Sequence, residues 1–411
     1  MRKQFSIVGQ PWNYGRMAAD TISTVRRWMM LVIALFATLS ANVFINGAAF
    51  LIPTLHTTMG LDLAKSGLVS AMPSFGMVVT LIAWGYVVDR VGERFVLSVG
   101  SALTAAAALA AASAHSLILV SVFLFVGGMA AASSNSASGR LVVGWFPPHQ
   151  RGLVMGIRQT AQPLGVAFGA LVIPRLAQSH GVGVALLFPA IVCGIAALVC
   201  AVAVADPPRP PRADAPAEHL ANPYRGSALL WRIHAVSVLL VVPQCVVWTF
   251  TLVWLIVDRG WSAESAGLMV TFAQVLGALG RIAAGRWSDR LGLRLRPIRT
   301  IAVAAAVAMF LLALTDAQHW TLSVVVMVAA SVITVSDNGL AFTAIAEIAG
   351  PFWSGRALGA QNTSQLLTCG LAPPLFGALI GVVGFPIAFA VCALFPVVAV
   401  PLVPADPPSR D

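Results

Sequence analysis

Residues 85–95, GYVVDRVGERF, and residues 285–295, GRWSDRLGLRL, each place an aspartate-arginine pair and a further arginine at the end of a long apolar run. Gly85, Asp89, Arg90, Gly92 and Arg94 recur as Gly285, Asp289, Arg290, Gly292 and Arg294, at an offset of 200 residues. A charged turn repeated at so wide a spacing points to two copies of a larger unit.

The 411-residue chain is 58% hydrophobic and only 10% charged, so water is not the solvent of most of it. Apolar runs long enough to cross a bilayer core of about 30 Å recur along the sequence. They cover residues 28–55, 66–88, 95–114, 116–142, 151–174, 183–204, 232–257, 263–288, 298–316, 320–345, 355–380 and 384–404. Lipid offers the backbone no hydrogen-bond partners, so such runs have to be helices. The fold class is an all-α membrane protein with twelve transmembrane helices. The first 27 residues carry Arg2, Lys3, Arg16, Arg26 and Arg27 and lack a short apolar core with a small-residue cleavage site. They are expected to remain as a tail rather than to leave as a signal peptide.

The formal net charge is +10, yet the basic residues are sorted by loop instead of gathered on one polar surface, which argues against a nucleic-acid partner. With a cytoplasmic N-terminus, Arg90, Arg94, Arg140, Arg151, Arg209, Arg212, Arg225, Arg232, Arg286, Arg290, Arg294, Arg296, Arg299, Arg356 and Arg410 fall on the same side as the first five. Lys65, Arg175 and Arg259 fall on the other. This is the positive-inside asymmetry of a multi-pass protein of the cell (inner or plasma) membrane with both termini cytoplasmic. Cys193, Cys200, Cys245, Cys369 and Cys392 all lie inside apolar helices without a CxxC pair or a histidine at ligand spacing, so they are expected to pack as small hydrophobes, with no metal and no disulfide.

The stretch ADPPRPPRADAPAEHLANPYRG, 205–226, is rich in proline and charge and cannot continue a helix. It divides the chain into a tail (1–27), a six-helix bundle (28–204), a cytoplasmic linker (205–231), a second bundle (232–404) and a short tail (405–411). ADPP at 205–208 returns at 405–408, and GIRQTAQ (156–162) aligns with GAQNTSQ (359–365) at an offset of 203, placing Thr160 on Thr363 and Gln162 on Gln365. The two bundles are therefore pseudo-symmetric.

Twelve helices, a central linker, this sidedness and two copies of G-x-x-x-D-R-x-G-x-R together resemble the major facilitator superfamily (MFS), and the resemblance spans the whole chain. It implies the MFS fold and secondary transport of a small molecule across the lipid bilayer by alternating access. It also implies a role for the charged turns. Helices 2 and 8 end at Asp89 and Asp289, where helices 11 and 5 begin near Gly355 and Arg151 with positive N-terminal dipoles. An aspartate of one bundle facing a helix start of the other would latch the cytoplasmic side shut, and the family uses the turn in this way. Arg90, Arg94, Arg290 and Arg294 could then pair with acids of their own bundle, Glu347 among them.

Polar groups within the spans mark the pathway, because each is costly in hydrocarbon. Helices 3, 6, 9 and 12 carry no Arg, Asp, Glu, Asn or Gln at depth, whereas helices 1, 4, 5, 7, 8, 10 and 11 hold Asn42, Asn46, Asn135, Arg158, Gln159, Gln162, Gln244, Arg281, Asp337, Asn338, Gln361, Asn362 and Gln365. Arg158 and Arg281 lie at similar depth in opposite bundles, about 10–12 Å from the cytoplasmic helix ends at 1.5 Å per residue. A guanidinium stays charged and offers a fork that matches a carboxylate, so an organic anion is the expected substrate class. Gln159, Gln162, Asn135, Asn362, Gln365 and Trp248 complete the expected substrate lining, with packing the alternative for Trp248.

The context GALGRIAAGRWSDRLG is similar to helix 8 of the oxalate/formate and monocarboxylate branches and of nitrate porters, although helix 2 lacks the intramembrane arginine of the latter. Asp337 is the only acidic residue near the middle of a helix. A carboxyl that alternates between desolvation and a nearby arginine can take up and release a proton, which makes Asp337 the expected proton-coupling residue. A fixed pair of Asp337 with Arg281 is the other reading.

Helix 5 lacks the glycine-proline signature of drug:proton antiporters, which counts against drug efflux without deciding between symport and exchange. Efflux of neutral or cationic compounds and transport of an inorganic oxyanion stay as alternatives. No HExxH, GxSxG or paired-aspartate constellation is present, so an enzyme is not expected. Neither is a cofactor or a metal, and the protein is expected to act as a monomer with the proton as coupling ion.

Overall fold

The computed structural model describes residues 22–57, 60, 63–208, 213, 215–225 and 227–406. Most of the N-terminal tail, Arg209, Arg212, Arg410 and the last two residues of the second ADPP lie outside the described residues. The first four spanning helices follow from the long apolar runs. Helix α1 runs Thr24–Gly47 and continues through a 3₁₀ turn, Ala48–Leu51, into Ile52–Thr57. It is followed by α2 (Leu63–Val91), α3 (Glu93–Ala112) and α4 (Leu117–Trp145).

Among the described residues ten continuous helices are long and apolar enough to span a membrane, but two of them, of 56 and 49 residues, are too long to cross it once. At 1.5 Å per residue they measure about 84 and 74 Å against a core of about 30 Å. Each contains one glycine in the left-handed region, Gly181 (φ 86°) and Gly384 (φ 79°), a conformation that costs glycine little. The chain turns back at both. In the first bundle Ile173 packs on Gly47 on the way out, and Cys193 and Ala205 then reach Ser40 and Met30 of α1 on the return. In the second, residues 369 and 377 lie beside residues 245 and 250, and Pro401 then reaches Arg232.

These hairpins supply α5 (151–180), α6 (182–203), α11 (354–383) and α12 (385–402). With α7 (Leu229–Val253, extended by a π turn to Asp258), α8 (Ala263–Leu291), α9 (Leu295–Ala317) and α10 (Leu322–Ile333 and Asn338–Ala349), the described residues make twelve spanning helices. They form two six-helix bundles, each with its own core. Phe44, Leu81, Leu124 and Cys193 are buried together in the first, and Val246, Trp254, Met309 and Phe389 in the second.

The repeated ADPP has a structural use. Asp206 accepts a hydrogen bond from the Arg94 amide at 2.7 Å, and Asp406 accepts three, from the amides of Arg294, Leu295 and Arg296 at 2.7–3.0 Å. The aspartate that follows each bundle's last helix thus satisfies the free amides at the start of that bundle's third helix, in the manner of an N-cap. One expectation about the cysteines is corrected: Cys245 and Cys369 form a disulfide that joins α7 to α11, while Cys193, Cys200 and Cys392 are free and buried. Their helices bring the two Cα atoms to 5.5 Å, an adjacency that no sequence spacing announces.

Two helices are interrupted at depth. Helix α5 loosens at Gln159–Thr160, where Pro163 cannot donate to the Gln159 carbonyl. Helix α10 opens over residues 334–337, where Thr334 and Ser336 turn their hydroxyls onto the Ala330 and Val332 carbonyls. Arg158 borders the first break and Asp337 the second.

Candidate functional site: the polar pathway between the bundles

Hydrogen bonds and ion pairs between the bundles gather at the end where the linker emerges. Asp89, at the foot of α2, accepts from the amides of Gly355 (2.8 Å) and Arg356 (3.1 Å) at the start of α11 and pairs with the Arg356 guanidinium at 3.0 Å. Asp289, at the foot of α8, accepts from Gly152 (2.9 Å) and Leu153 (2.7 Å) at the start of α5. In both places a carboxylate meets unsatisfied amides at the positive end of a helix dipole. Glycines make the approach feasible. Gly85 lies against Gly355, and Gly285 against Gly152, so closely that a methyl group on any of the four would collide with the facing helix.

The arginines of the two turns are used unequally. Arg294 pairs with Asp289 at 2.6 Å and with Glu347 at 3.1 Å, and also reaches the Pro148 carbonyl of the other bundle. Burial opposes its charge, but Glu347 and Asp289 outweigh that and hold its pKa above the usual arginine value. Glu347 also pairs with Arg151 at 3.3 Å, tying α10 to α5. Arg94, by contrast, donates to the Ala201 carbonyl of its own bundle. Its place beside Asp89 is taken by Arg140 of α4, which contacts Asp89 at 3.4 Å and Glu93 at 3.3 Å and donates to Pro351 of the other bundle at 2.7 Å. Arg90 is exposed over the Tyr86 ring and Arg290 is exposed, so both stand outside the contact.

One turn deeper the same helix pairs cross again. Gly156 of α5 lies against the backbone of Arg281 and Ile282 in α8, and Gly359 of α11 lies against Leu81 and Ile82 in α2. The first crossing brings Arg158 and Arg281 to one level, with Gly339 of α10 packed on the same Gly156 and Asp337 two residues before it. Both guanidinium groups are buried. Arg158 donates from Nε to Ser138 (3.0 Å), from one terminal nitrogen to Gln159 Oε1 (2.6 Å) and from the other to Ser138 and the Asn135 carbonyl (2.8 and 3.2 Å). It also lies over the Phe342 ring of the other bundle at 5.9 Å. Arg281 has a buried Nε without a hydrogen-bond partner among the described residues. Asp337 is buried and near enough to Arg281 to act on its charge, but the two do not form an ion pair in this conformation.

The sequence profile of the Major Facilitator Superfamily matches residues 30–373. This chain belongs to that superfamily. An uncharacterized MFS-type transporter of Mycobacterium tuberculosis, Rv2994, is 58% identical over 397 residues, 96% of this chain and 89% of that protein. A gallate transporter of Pseudomonas putida is 24% identical over 414 aligned residues, covering 91% of this chain and 89% of its own. The solved structure of the proton:xylose symporter XylE superposes with a TM-score of 0.74 at 15% identity, covering 92% of this chain and 95% of that one, and so shares the fold. The chain is a multi-pass MFS transporter of a small molecule, not an enzyme.

Within this MFS pathway the remaining expected residues are distributed unevenly. Asn135 is half-buried and faces Arg158, and Gln159 bonds it directly. Gln162, one turn further along α5, is exposed, while Asn362 is half-buried and folds its amide onto the Leu358 carbonyl of its own helix. Gln365 reaches Ser237 (2.9 Å) and Asn338 (3.1 Å), and Asn338 reaches Gln244 (2.9 Å). Trp248 is half-buried on α7.

Sequence reasoning missed Ser138, Arg140, Arg356 and His234, and placed Gln361 on the pathway without its partners His234 and Ser237. The serine carries no spacing signal, and the two arginines looked like ordinary basic loop residues. It also missed Asp316, buried on α9 beneath Arg259 and bonded by Trp254 Nε1 at 2.9 Å, at the end of the molecule away from the linker.

Proposed function

We propose that this transporter carries a small organic anion, a carboxylate, in company with a proton, and that the anion is held between Arg158 and Arg281. The observation that supports this most is that Arg158 and Arg281, both buried, sit on helices of opposite bundles that cross at Gly156, and neither is ion-paired to a carboxylate among the described residues. Such charge in a membrane interior calls for a counter-ion. Gln159 Oε1 and Asn135 Oδ1 stand where substrate oxygens would replace them on Arg158.

Asp337 supplies the coupling. Ionised, it offsets one of the two positive charges. Protonated, it leaves both for the substrate, so proton and anion each favour the other's binding. The gallate carried by the Pseudomonas relative is itself an aromatic carboxylate, in keeping with this class.

The linker end is cytoplasmic in this reading, in the cell membrane, and the transporter works as a monomer. Asp89 and Asp289 latch that end shut, so the conformation described faces outward, and Gly92, Gly292, Arg94, Arg294 and Glu347 shape or brace the latch.

The test is a liposome assay on protein carrying Asp337→Asn, using a carboxylate found by thermal-shift screening. The variant is expected to lose accumulation driven by an imposed pH gradient and to keep much of its exchange at equilibrium. Accumulation that survives the substitution excludes Asp337 as the coupling site. Joint loss of both activities with loss of thermal stability marks Asp337 as a structural partner of Arg281, since an unpaired buried charge costs about 3–5 kcal/mol.

A further inference from the structure

From beside Asp337 a line of hydrogen bonds runs through the second bundle to the linker. Tyr224, in the described part of the linker, is 2.9 Å from His234 Nε2 in the second turn of α7. His234 Nδ1 is 2.7 Å from Gln361 Oε1 on α11. Gln361 Nε2 donates to Ser237 Oγ, one turn along α7, and Gln365 Nε2 donates to the same oxygen at 2.9 Å. Ser237 and Asp337 line one cavity of about 10 Å³, with Ile233, Ile298 and Ala341 also in its wall, which is room for about one water molecule.

The line has a direction. Because the Gln361 nitrogen serves Ser237, its oxygen faces His234 and accepts, which fixes the imidazole hydrogen on Nδ1 and leaves Nε2 as the acceptor for Tyr224. Burial pushes the Tyr224 hydroxyl up to about 12, so it remains a donor at neutral pH. Ser237 Oγ already accepts twice, and its own hydrogen is left to point into the cavity it shares with Asp337. Every donor from Tyr224 to Gln361 is therefore turned toward Ser237, which shares its cavity with the Asp337 carboxyl. Among the described residues the only titratable neighbour in hydrogen-bond contact with His234 is Tyr224. Arg356 of α11 and Asp89 of α2 act on Tyr224 from behind, Gln361 of α11 is neutral, and Asp337 of α10 lies beyond Ser237.

We propose that His234 is a second proton-binding site of the transport cycle, reached from the linker side and linked through Gln361 and Ser237 to Asp337. A proton entering past Tyr224, which is half-buried, binds the lone pair of His234 Nε2, and the Tyr224 oxygen then turns to accept from the new N–H. No other bond is broken. The positive imidazolium strengthens the donor at each later step and favours the ionised form of Asp337, and by reciprocity an ionised Asp337 favours the charged His234. The inference rests on Asp337 being the coupling residue, and it adds that its proton affinity answers to the pH at the linker face.

The deuterium exchange of the imidazole C2 hydrogen, read by mass spectrometry on the peptide containing His234, reports this without substrate or gradient. Purified full-length protein is followed across about pH 5 to 9, the range in which histidine titrates. Removing the carboxylate charge with Asp337→Asn is expected to lower the His234 midpoint by about half a pH unit, roughly 3-fold in proton affinity. In a Ser237→Ala background, a mild change, the same substitution should move it by less than about 0.2 unit. A midpoint unmoved by Asp337→Asn overturns the link, and an undiminished shift in the Ser237→Ala background overturns the route through Ser237. A failure of proton coupling itself is seen separately, as gradient-driven accumulation that survives Asp337→Asn in liposomes.

Discussion

The two bundles are alike where they touch and unlike where they would hold cargo. At the linker end Gly85 faces Gly355 as Gly285 faces Gly152, and Asp89 meets the start of α11 as Asp289 meets the start of α5. At the next crossing the backbone match persists, with Gly359 on Leu81 and Gly156 on Arg281, but the side chains part company. Leu81 stands in the first bundle where Arg281 stands in the second, and Arg158 stands where the second has Gln361, as their offsets of 200 and 203 show. Ser134 likewise stands where the second has Asp337. Duplication preserved the close-packed hinges and the carboxylate-on-helix contacts, which depend on backbone geometry. The polar interior was free to become one-sided, with the acid Asp337 in the second bundle only.

The comparison is broken most severely at the crossing glycines. Gly285→Val or Gly85→Val places a branched side chain against the facing helix backbone, so the linker end should fail to close. Transport is expected to fall by more than about 100-fold, in line with overpacking costs of about 3 kcal/mol, while a fluorescence-detected size profile shows folded protein. A valine variant with transport near the parent would show that the bundles need not approach this closely.

Asp89→Asn and Asp289→Asn keep the shape and remove the charge. Each should shift the population toward opening at the linker end by about 5- to 30-fold, the worth of one charge-assisted contact of about 1–2 kcal/mol. Labelling of a cysteine introduced beside Arg356 reads the shift for Asp89, and unchanged labelling would remove its latch role. The smallest effect separates the two turns. Arg294→Ala loses contacts to Asp289, Glu347 and Pro148 and should raise labelling about 3-fold, whereas Arg94→Ala, which loses a carbonyl contact within its own bundle, should leave it within about 1.5-fold. Equal effects would mean that Arg140 does not stand in for Arg94 beside Asp89.

Much of this was legible in the sequence, and physical chemistry says why. Apolar runs of bilayer length announce helices, and a twice-written charged turn announces two bundles. Arg158, Arg281 and Asp337 stand out because charge inside an apolar run is costly. The partners of those residues were hidden. Arg140 and Arg356 looked like ordinary basic loop residues, and only the meeting of α4 with α10 and α11 gives them a task. His234, Gln361 and Ser237 come from two helices 124 residues apart in the chain, and hydroxyls and amides bond in too many ways for spacing to show which bonds form. The Cys245–Cys369 bridge was missed for the same reason, since adjacency across α7 and α11 exists only in the fold.

The most direct test of the central claim is the affinity of one carboxylate for the parent protein and for Arg158→Gln and Arg281→Gln. Gallate heads the panel of small carboxylates, set beside inorganic oxyanions, sugars and cationic drugs. Thermal shift identifies the ligand, and calorimetry then gives its Kd. The account predicts that a carboxylate stabilises the parent and that each variant binds it about 10- to 150-fold more weakly, the loss of one charge-assisted contact worth about 1.5–3 kcal/mol. A carboxylate bound equally well by both variants, or a protein stabilised only by sugars or cations, would contradict it.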